Sequence, residues 1–525
     1  MSITLDNISH NFGTKRLFEG VTATFQPGNR YGLTGPNGSG KSTLLKIIMG
    51  FIAPTTGLVI LPRKVGMLKQ NIEAFKDFSV LDVVIMGNNR LWQALQERDR
   101  LYEGEMTDAV GIRLGEIEEI IAEEDGYVAE SSAEELLIGA GVDIQLHTLK
   151  MQAIPLDLQF RALLCQALFG EPQALLLDEP TNHLDMDSIG WLENVLHNYK
   201  GTLIVVSHDR HFLNAVTTHI ADIDYDTLIV YPGNYDDMVI TKSQARDREL
   251  ADVKSKEKKI AQLKEFVAKF GAGTRASQVQ SRQKEIARLQ PQELKKSNIS
   301  RPYIRFNVPE VQPGKVLIKL DKLSKSYGEH KVISNFNLEI HKGDKIGVIG
   351  HNGLGKSTLM KMLAQELQPD MGHVEYGHQV KMSYFPQNHS DLISSQEKAD
   401  AFEWLRHRKS GLYDQDIRGA LGKMLFGGDD AFKNVATLSG GETARLILAG
   451  MMLEDHNLVL LDEPNNHLDL EAVSALAWGL QDYKGTAVVV SHDRDLIGQF
   501  ATKIVAFKEN KIEIFNGTLE EYFNR

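Results

Sequence analysis

Short apolar runs recur along the chain, and each is followed by a stretch whose apolar residues repeat at helical spacing. Ala174-Leu175-Leu176-Leu177-Asp178 and Thr202-Leu203-Ile204-Val205-Val206 have counterparts in Leu458-Val459-Leu460-Leu461-Asp462 and Thr486-Ala487-Val488-Val489-Val490. Runs this short and continuous predict strands buried on both faces. Their alternation with amphipathic helices predicts an α/β fold built on mainly parallel, doubly covered sheets. Two stretches break the alternation. Within 88–141, Leu91, Leu95 and Leu101, then Leu114, Ile117, Ile120 and Ile121, sit at helical intervals on a charged background, which predicts a protruding helical hairpin. From Lys242 to Phe270 the chain is nearly free of breakers, with Val253, Ile260, Leu263, Val267 and Phe270 at helical intervals. Gly271-Ala272-Gly273-Thr274 interrupts it, and a second helix is expected over about Gln278 to Leu289, before Pro291. A long antiparallel hairpin follows, its first helix reaching about 43 Å.

The two halves align. Lys41 and Lys356 are 315 residues apart and Gln70 and Gln387 are 317 apart, whereas Asp178 and Asp462, like His208 and His492, are 284 apart. The first half therefore carries about 33 extra residues between Gln70 and Asp178, where the 88–141 stretch lies. The predicted organisation is a first domain over 1–240 with a helical arm, a charged linker over 241–312 and a second domain over 313–525.

Composition changes this picture in one respect. With 42% apolar and 24% charged residues and no uninterrupted apolar run near 18 residues, the chain reads as globular with no membrane insertion. The N-terminus lacks a basic segment followed by an apolar one, and the single cysteine, Cys165, has no disulfide partner; both point to the cytoplasm. The net charge of −12 is uneven: Thr241 to Arg305 holds 17 Lys+Arg against 7 Asp+Glu, so the linker is basic and the remainder strongly acidic. A basic helical linker suits either phosphate contacts or a solvated spacer.

The chemistry lies in what joins strands to helices. Gly35-Pro36-Asn37-Gly38-Ser39-Gly40-Lys41-Ser42 and Gly350-His351-Asn352-Gly353-Leu354-Gly355-Lys356-Ser357 both fit G-x-x-x-x-G-K-[ST] between an apolar run and a helical one. Glycines let backbone N–H groups curl around a phosphate, the helix N-terminus adds positive potential, lysine reaches the terminal phosphate, and Ser42 and Ser357 offer hydroxyls to Mg²⁺. Thr43 and Thr358 open the helices. Each apolar run ends in an acid pair, Asp178-Glu179 or Asp462-Glu463, the first suited to hold Mg²⁺ and the second to orient or deprotonate water. Gln70 and Gln387 would complete the metal shell, and His208 and His492 would contact the terminal phosphate. Ser439-Gly440-Gly441-Glu442 forms a second anion site at a helix N-terminus, free to cap a nucleotide held by the other half.

In this order the motifs resemble those of the ATP-binding cassette ATPases, and more narrowly the ABC-F class: two cassettes in one chain, no transmembrane domain, an arm in the first cassette and a charged linker. The resemblance implies two P-loop ABC ATPase domains closing head to tail on two ATP and Mg²⁺ within a monomer. It implies D-loops at Asn182-His183-Leu184-Asp185 and Asn466-His467-Leu468-Asp469, and adenine stacking on Phe12 and Tyr327. It further implies a ribosome partner near the E site, with linker and arm touching rRNA and tRNA. An ATP-hydrolysing subunit of a transporter is the alternative; it gives the basic linker no use. Two departures stand out. Asn465 replaces the threonine found at Thr181, and Ile154-Pro155-Leu156-Asp157-Leu158 stands where Leu438-Ser439-Gly440-Gly441-Glu442 stands in the second half, with Arg161 still aligned to Arg445. Pro155 removes a hydroxyl and an N–H, and Asp157 adds negative charge, so the two ATP sites are expected to be unequal.

Overall fold

The computed structural model describes residues 2–13, 15–68, 72–104, 106–182, 184–270, 276–289, 301–311, 313–328, 330–389, 392–393, 397–408, 411–508 and 511–525. Each half contains a six-stranded sheet. In the first the strand order is Val65–Met67, Ala174–Asp178, Thr202–Val206, Arg30–Thr34, His219–Asp224, Thr227–Pro232, parallel except for the antiparallel last pair. The second repeats it with Met382–Phe385, Leu458–Asp462, Thr486–Val490, Lys345–Gly350, Lys503–Lys508 and Lys511–Asn516. The central strands are buried throughout, as continuous apolar runs require. A three-stranded antiparallel sheet packs beside each: Lys15–Phe25, Ile3–Phe12 and Thr56–Ile60 in the first half, His330–His341, Val316–Tyr327 and Met371–Tyr376 in the second.

The arm is a helical hairpin, Asn89–Glu103 against Asp108–Glu123, started by Asn88 and Thr107 accepting from Leu91 and Val110 N–H groups. Its base is tied down by a buried carboxylate. Glu124 accepts from Asn88 Nδ2 at 3.0 Å and Arg90 at 2.8 Å, and pairs with Lys64 at 2.6 Å, immediately before the edge strand Val65–Met67. Burial opposes its ionisation, but the bonds from Lys64, Asn88 and Arg90 win and hold it down at about 2. A depressed carboxylate contributes stability above its unfolded value of 4.5 and loses it as pH falls from there toward about 2. Glu124→Gln is therefore expected to lower unfolding free energy by about 1–3 kcal/mol at neutral pH. The gap to the parent should narrow below about pH 4.5, read by urea unfolding across pH.

The linker helix runs Tyr235–Phe270, seven residues earlier than its polar pattern predicts, and pairs with Ala276–Leu289. The early start has a local cause: Asn234 Oδ1 accepts from Asp237 N–H at 3.0 Å, and Tyr235 and Met238 are buried in the first cassette's core. The glycine tip at 271–275 lies outside the described residues. Among those described, no helix is long and apolar enough to cross a membrane.

Candidate active site

Each phosphate-type loop leaves a central strand and enters a helix, Lys41–Ile48 or Lys356–Leu363. The turn depends on Gly40 and Gly355 at φ 98°; a Cβ on Gly355 would come 2.1 Å from Val332 Cγ1. Lys41 Nζ donates to the carbonyls of Gly35 (2.8 Å) and Pro36 (3.2 Å), and Lys356 Nζ to those of Gly350 and His351, both 2.8 Å. Gly38 and Gly353, with Asn37 and Asn352, complete the two loops.

Ser357 Oγ lies 3.2 Å from Asp462 Oδ1 and 3.5 Å from Gln387 Oε1. Three oxygen-bearing side chains meeting at one point form a donor set that fits a hard divalent cation such as Mg²⁺. In the first cassette the Ser42 hydroxyl bonds Asp178 in the same way; Gln70 lies outside the described residues. Burial pushes Asp178 up and Asp462 up to about 6, so a cation's charge would be needed to keep them ionised at lower pH.

Glu179 and Glu463 adopt left-handed φ values of 51° and 49°, unusual for a side chain of that size. Each is fixed by its N–H on the neighbouring strand, to Val206 O and Val490 O at 2.9 Å. His208 Nε2 stands 3.2 Å from Glu179 Oε1, and His492 Nε2 stands 3.4 Å from Glu463 Oε1 and 3.1 Å from Asn352 Oδ1. Burial pushes both glutamates up, against the pull of Lys41 and Lys356, and pushes both histidines down to about 3. At neutral pH the imidazoles are uncharged hydrogen-bonding groups.

The cassettes meet at these loops. Asp185 and Asp469 cap the helices Met186–His197 and Leu470–Asp482 through Oδ1, leaving Oδ2 for the other half. Asp469 Oδ2 accepts from Asn37 N–H at 3.3 Å. Asp185 Oδ2 is 2.9 Å from His351 Nδ1, whose Nε2 is 3.1 Å from Asp187, and also accepts from Arg161 at 3.2 Å. Met186 enters the second cassette's core and Leu470 packs on the first. A cavity of about 400 Å³ lies between Lys356, Ser357, Glu463 and His492 on one side and Leu156, Asp157 and His208 on the other.

The two helix starts that align with each other differ. Ser439 Oγ accepts from Glu442 N–H and Glu442 Oε2 from Ser439 N–H, a reciprocal cap before Gly440–Leu453. Pro155 occupies the same place before Leu156–Leu168 with no side-chain cap. By contrast Asn465 keeps its partner: it accepts from Ser491 Oγ at 2.7 Å, where Thr181 meets Ser207 at 3.1 Å. Phe12 and Tyr327 are the last residues of equivalent strands, Tyr327 with an exposed ring. His183 lies outside the described residues. His351 was not singled out by sequence reasoning, yet the loop alignment sets it opposite Pro36, which has no donor; that contrast was the available signal.

Two P-loop domains in one chain, each reaching into the other's nucleotide loop, define a tandem-cassette ATPase. The family model described as ABC transporter matches residues 18–182 and 333–466, and a further ABC transporter model matches 221–306. The chain is 42% identical over 521 residues to "Probable ATP-binding protein YbiT" of Escherichia coli O157:H7, covering 98% of both chains. It is 33% identical over 521 residues to "Energy-dependent translational throttle protein EttA" of Escherichia coli O6:H1, covering 97% of this chain and 92% of that one. A solved complex of archaeal ribosomal stalk protein aP1 and archaeal ribosome recycling factor aABCE1 shares the fold, with a TM-score of 0.62 at 20% identity, over 99% of this chain and 91% of that chain. The chain belongs to the ABC transporter family of ATP-binding cassette proteins, in its ABC-F class, and is an ATP hydrolase.

Proposed function

We propose that this ATPase binds the ribosome at the E-site region in its closed, ATP-bound form, modulates translation, and uses hydrolysis to leave. It acts in the cytoplasm as a monomer whose cassettes pair with each other. The observation that carries the reading is the basic linker, 17 Lys+Arg against 7 Asp+Glu over 241–305, part of which forms the paired helices Tyr235–Phe270 and Ala276–Leu289; the 33% identity to a translational throttle protein supports it. Linker and arm would both touch rRNA and tRNA, the basic linker making most of the phosphate contacts because 88–141 holds 14 Asp+Glu against 4 Lys+Arg.

In this reading the loop N–H groups with Lys41 and Lys356 hold the phosphates of ATP. Ser42, Gln70 and Asp178, and Ser357, Gln387 and Asp462, hold Mg²⁺. Glu179 and Glu463 orient the attacking water, and His208 and His492 contact the terminal phosphate. Phe12 and Tyr327 stack on adenine. Ser439 to Glu442 cap the nucleotide on Lys41, while Pro155 to Leu158 face the one on Lys356, so the sites work unequally.

Co-sedimentation tests the partner. The Glu179→Gln, Glu463→Gln double variant is expected to pellet with ribosomes in ATP, to arrest translation in vitro, and to lose affinity by about tenfold or more between about 50 and about 200 mM salt. A double variant that stays in the supernatant under all these conditions contradicts the reading.

A further inference from the structure

The two ends of the linker are fastened on opposite sides of one ATP site. The outgoing root belongs to the first cassette. Lys242 Nζ reaches Asp222 Oδ2 at 2.5 Å and Asp224 Oδ2 at 2.6 Å, and both carboxylates are almost fully buried. The other oxygen of Asp222 accepts from the Thr34 hydroxyl at 3.1 Å, and Thr34 directly precedes Gly35 of the phosphate loop. A buried charge holding three groups together gives a stiff attachment, because any displacement leaves a charge uncompensated.

The returning root belongs to the second cassette. Arg301 pairs with Glu471, Tyr303 N–H donates to Lys423 O at 2.8 Å, and Ile304 and Phe306 are buried in that cassette's core. The Ile304 backbone lies against Gly479, where a Cβ would meet Ile304 O at 2.8 Å. This root therefore rides on the helix Leu470–Asp482, the one whose capping Asp469 touches the first phosphate loop.

A cavity of about 510 Å³ separates the roots, with Pro36, Lys242 and Arg246 on one wall and Arg301, Leu470 and Glu471 on the other. The matching cleft beside the second phosphate loop, about 900 Å³, is lined instead by residues such as Asp185, His351, Lys508, Tyr522 and Arg525 and, among the described residues, by none of the linker. The sites also differ in how they are fastened. At Lys356 the His351 ring bridges Asp185 and Asp187, whereas at Lys41 the cross-cassette bond is Asn37 N–H to Asp469. A pair of lobes clasped at one site and lightly bonded at the other separates at the lightly bonded one, which moves the linker's roots apart.

We propose that the linker is a lever geared to the Lys41 site alone, with Lys242 as the positioning residue that transmits the state of the first phosphate loop to it. This rests on the reading that both sites close on ATP, and it does not require the ribosome.

The test uses full-length protein spin-labelled at Ser255→Cys on the linker helix and Gln481→Cys on the second cassette, with Cys165→Ala, and double electron–electron resonance in ATP and Mg²⁺. Glu179→Gln, which stalls the Lys41 site, is expected to give one narrow distance distribution. Glu463→Gln is expected to give a distribution at least twice as wide, because the Lys41 site still cycles. Adding Lys242→Met to Glu179→Gln should restore the width, and Lys242→Arg should narrow it again. Narrowing by Glu463→Gln instead, equal narrowing by both, narrowing by neither, or a Lys242→Met variant as narrow as its parent overturns the proposal. If Lys242→Met fails to fold, the comparison of the two glutamine variants decides alone. Because no ribosome is present, failure to pellet with ribosomes leaves these distances interpretable.

Discussion

Glu179→Gln is expected to lower steady-state ATP turnover by about tenfold or more, and Glu463→Gln by only about a tenth of the total. The difference does not lie in the glutamates. Both have the same left-handed backbone, the same 2.9 Å anchor to the neighbouring strand, and a histidine ring nitrogen within 3.2 or 3.4 Å. It lies in what the opposite cassette presents. In the reading proposed above, the Lys41 site is completed by Ser439, Gly440 and Gly441, whose helix start is capped by Ser439. In the same reading the Lys356 site is completed by Pro155, which has neither hydroxyl nor N–H, and by Asp157, which lines the cavity beside Lys356 with Leu156. A hydrogen bond to a charged group contributes about 1.5–3 kcal/mol, and about 1.4 kcal/mol is tenfold in rate. Losing one or two such bonds in the transition state leaves the Lys356 site carrying a small part of the total flux. Phosphate release at saturating ATP reads the effect, with single-turnover decay of bound ATP to separate the sites. Equal losses in the two variants would contradict the assignment.

The parts of this molecule legible in sequence are those with a local chemical signature. Continuous apolar runs named the central strands, and the repeated offset of 284 placed Asp178, His208 and the altered helix start at Pro155 in register with their second-half counterparts. The helical arm could be read from Leu91, Leu114 and Ile117, all three now buried. What escaped depends on pairing across the chain. The linker helix starts at Tyr235 because Tyr235 and Met238 face a core, which polarity alone does not reveal. His351 sits at a variable position of a loop motif and acquires a role only when Asp185 and Asp187 arrive from the other half. Met186 and Leu470 read as ordinary helix residues until Met186 is seen in the opposite cassette's core and Leu470 packed against the other. Lys242 looked like one more linker charge until Asp222 and Asp224, both buried, are seen to hold it.

Rebuilding the first helix start is expected to raise turnover at the Lys356 site by about tenfold. The variant is Pro155→Ser with Leu156→Gly and Asp157→Gly, placed in the Glu179→Gln background so that the Lys41 site is silent. Each change has its own physical effect. Serine at the cap position supplies a hydroxyl and an N–H, and as a helix cap is worth about 1 kcal/mol to the helix Leu156–Leu168, which has no side-chain cap. The glycine at 156 removes a side chain that is 57% exposed at the cavity and lets the backbone approach a phosphate. The glycine at 157 removes a negative charge near that anion; its helix-dipole contribution, about 0.3–1 kcal/mol, is lost but is offset by the new cap. Arg161 keeps its bonds to Asp185 and Ala140 O, so the cross-cassette clasp through His351 is untouched. Recovering one charge-assisted hydrogen bond accounts for the tenfold gain. Phosphate release in the rebuilt variant, compared with Glu179→Gln alone, measures it. No gain, in a protein with an unchanged thermal midpoint, would mean that Pro155 to Leu158 do not face the nucleotide and that the slow site is limited by something other than its missing donors.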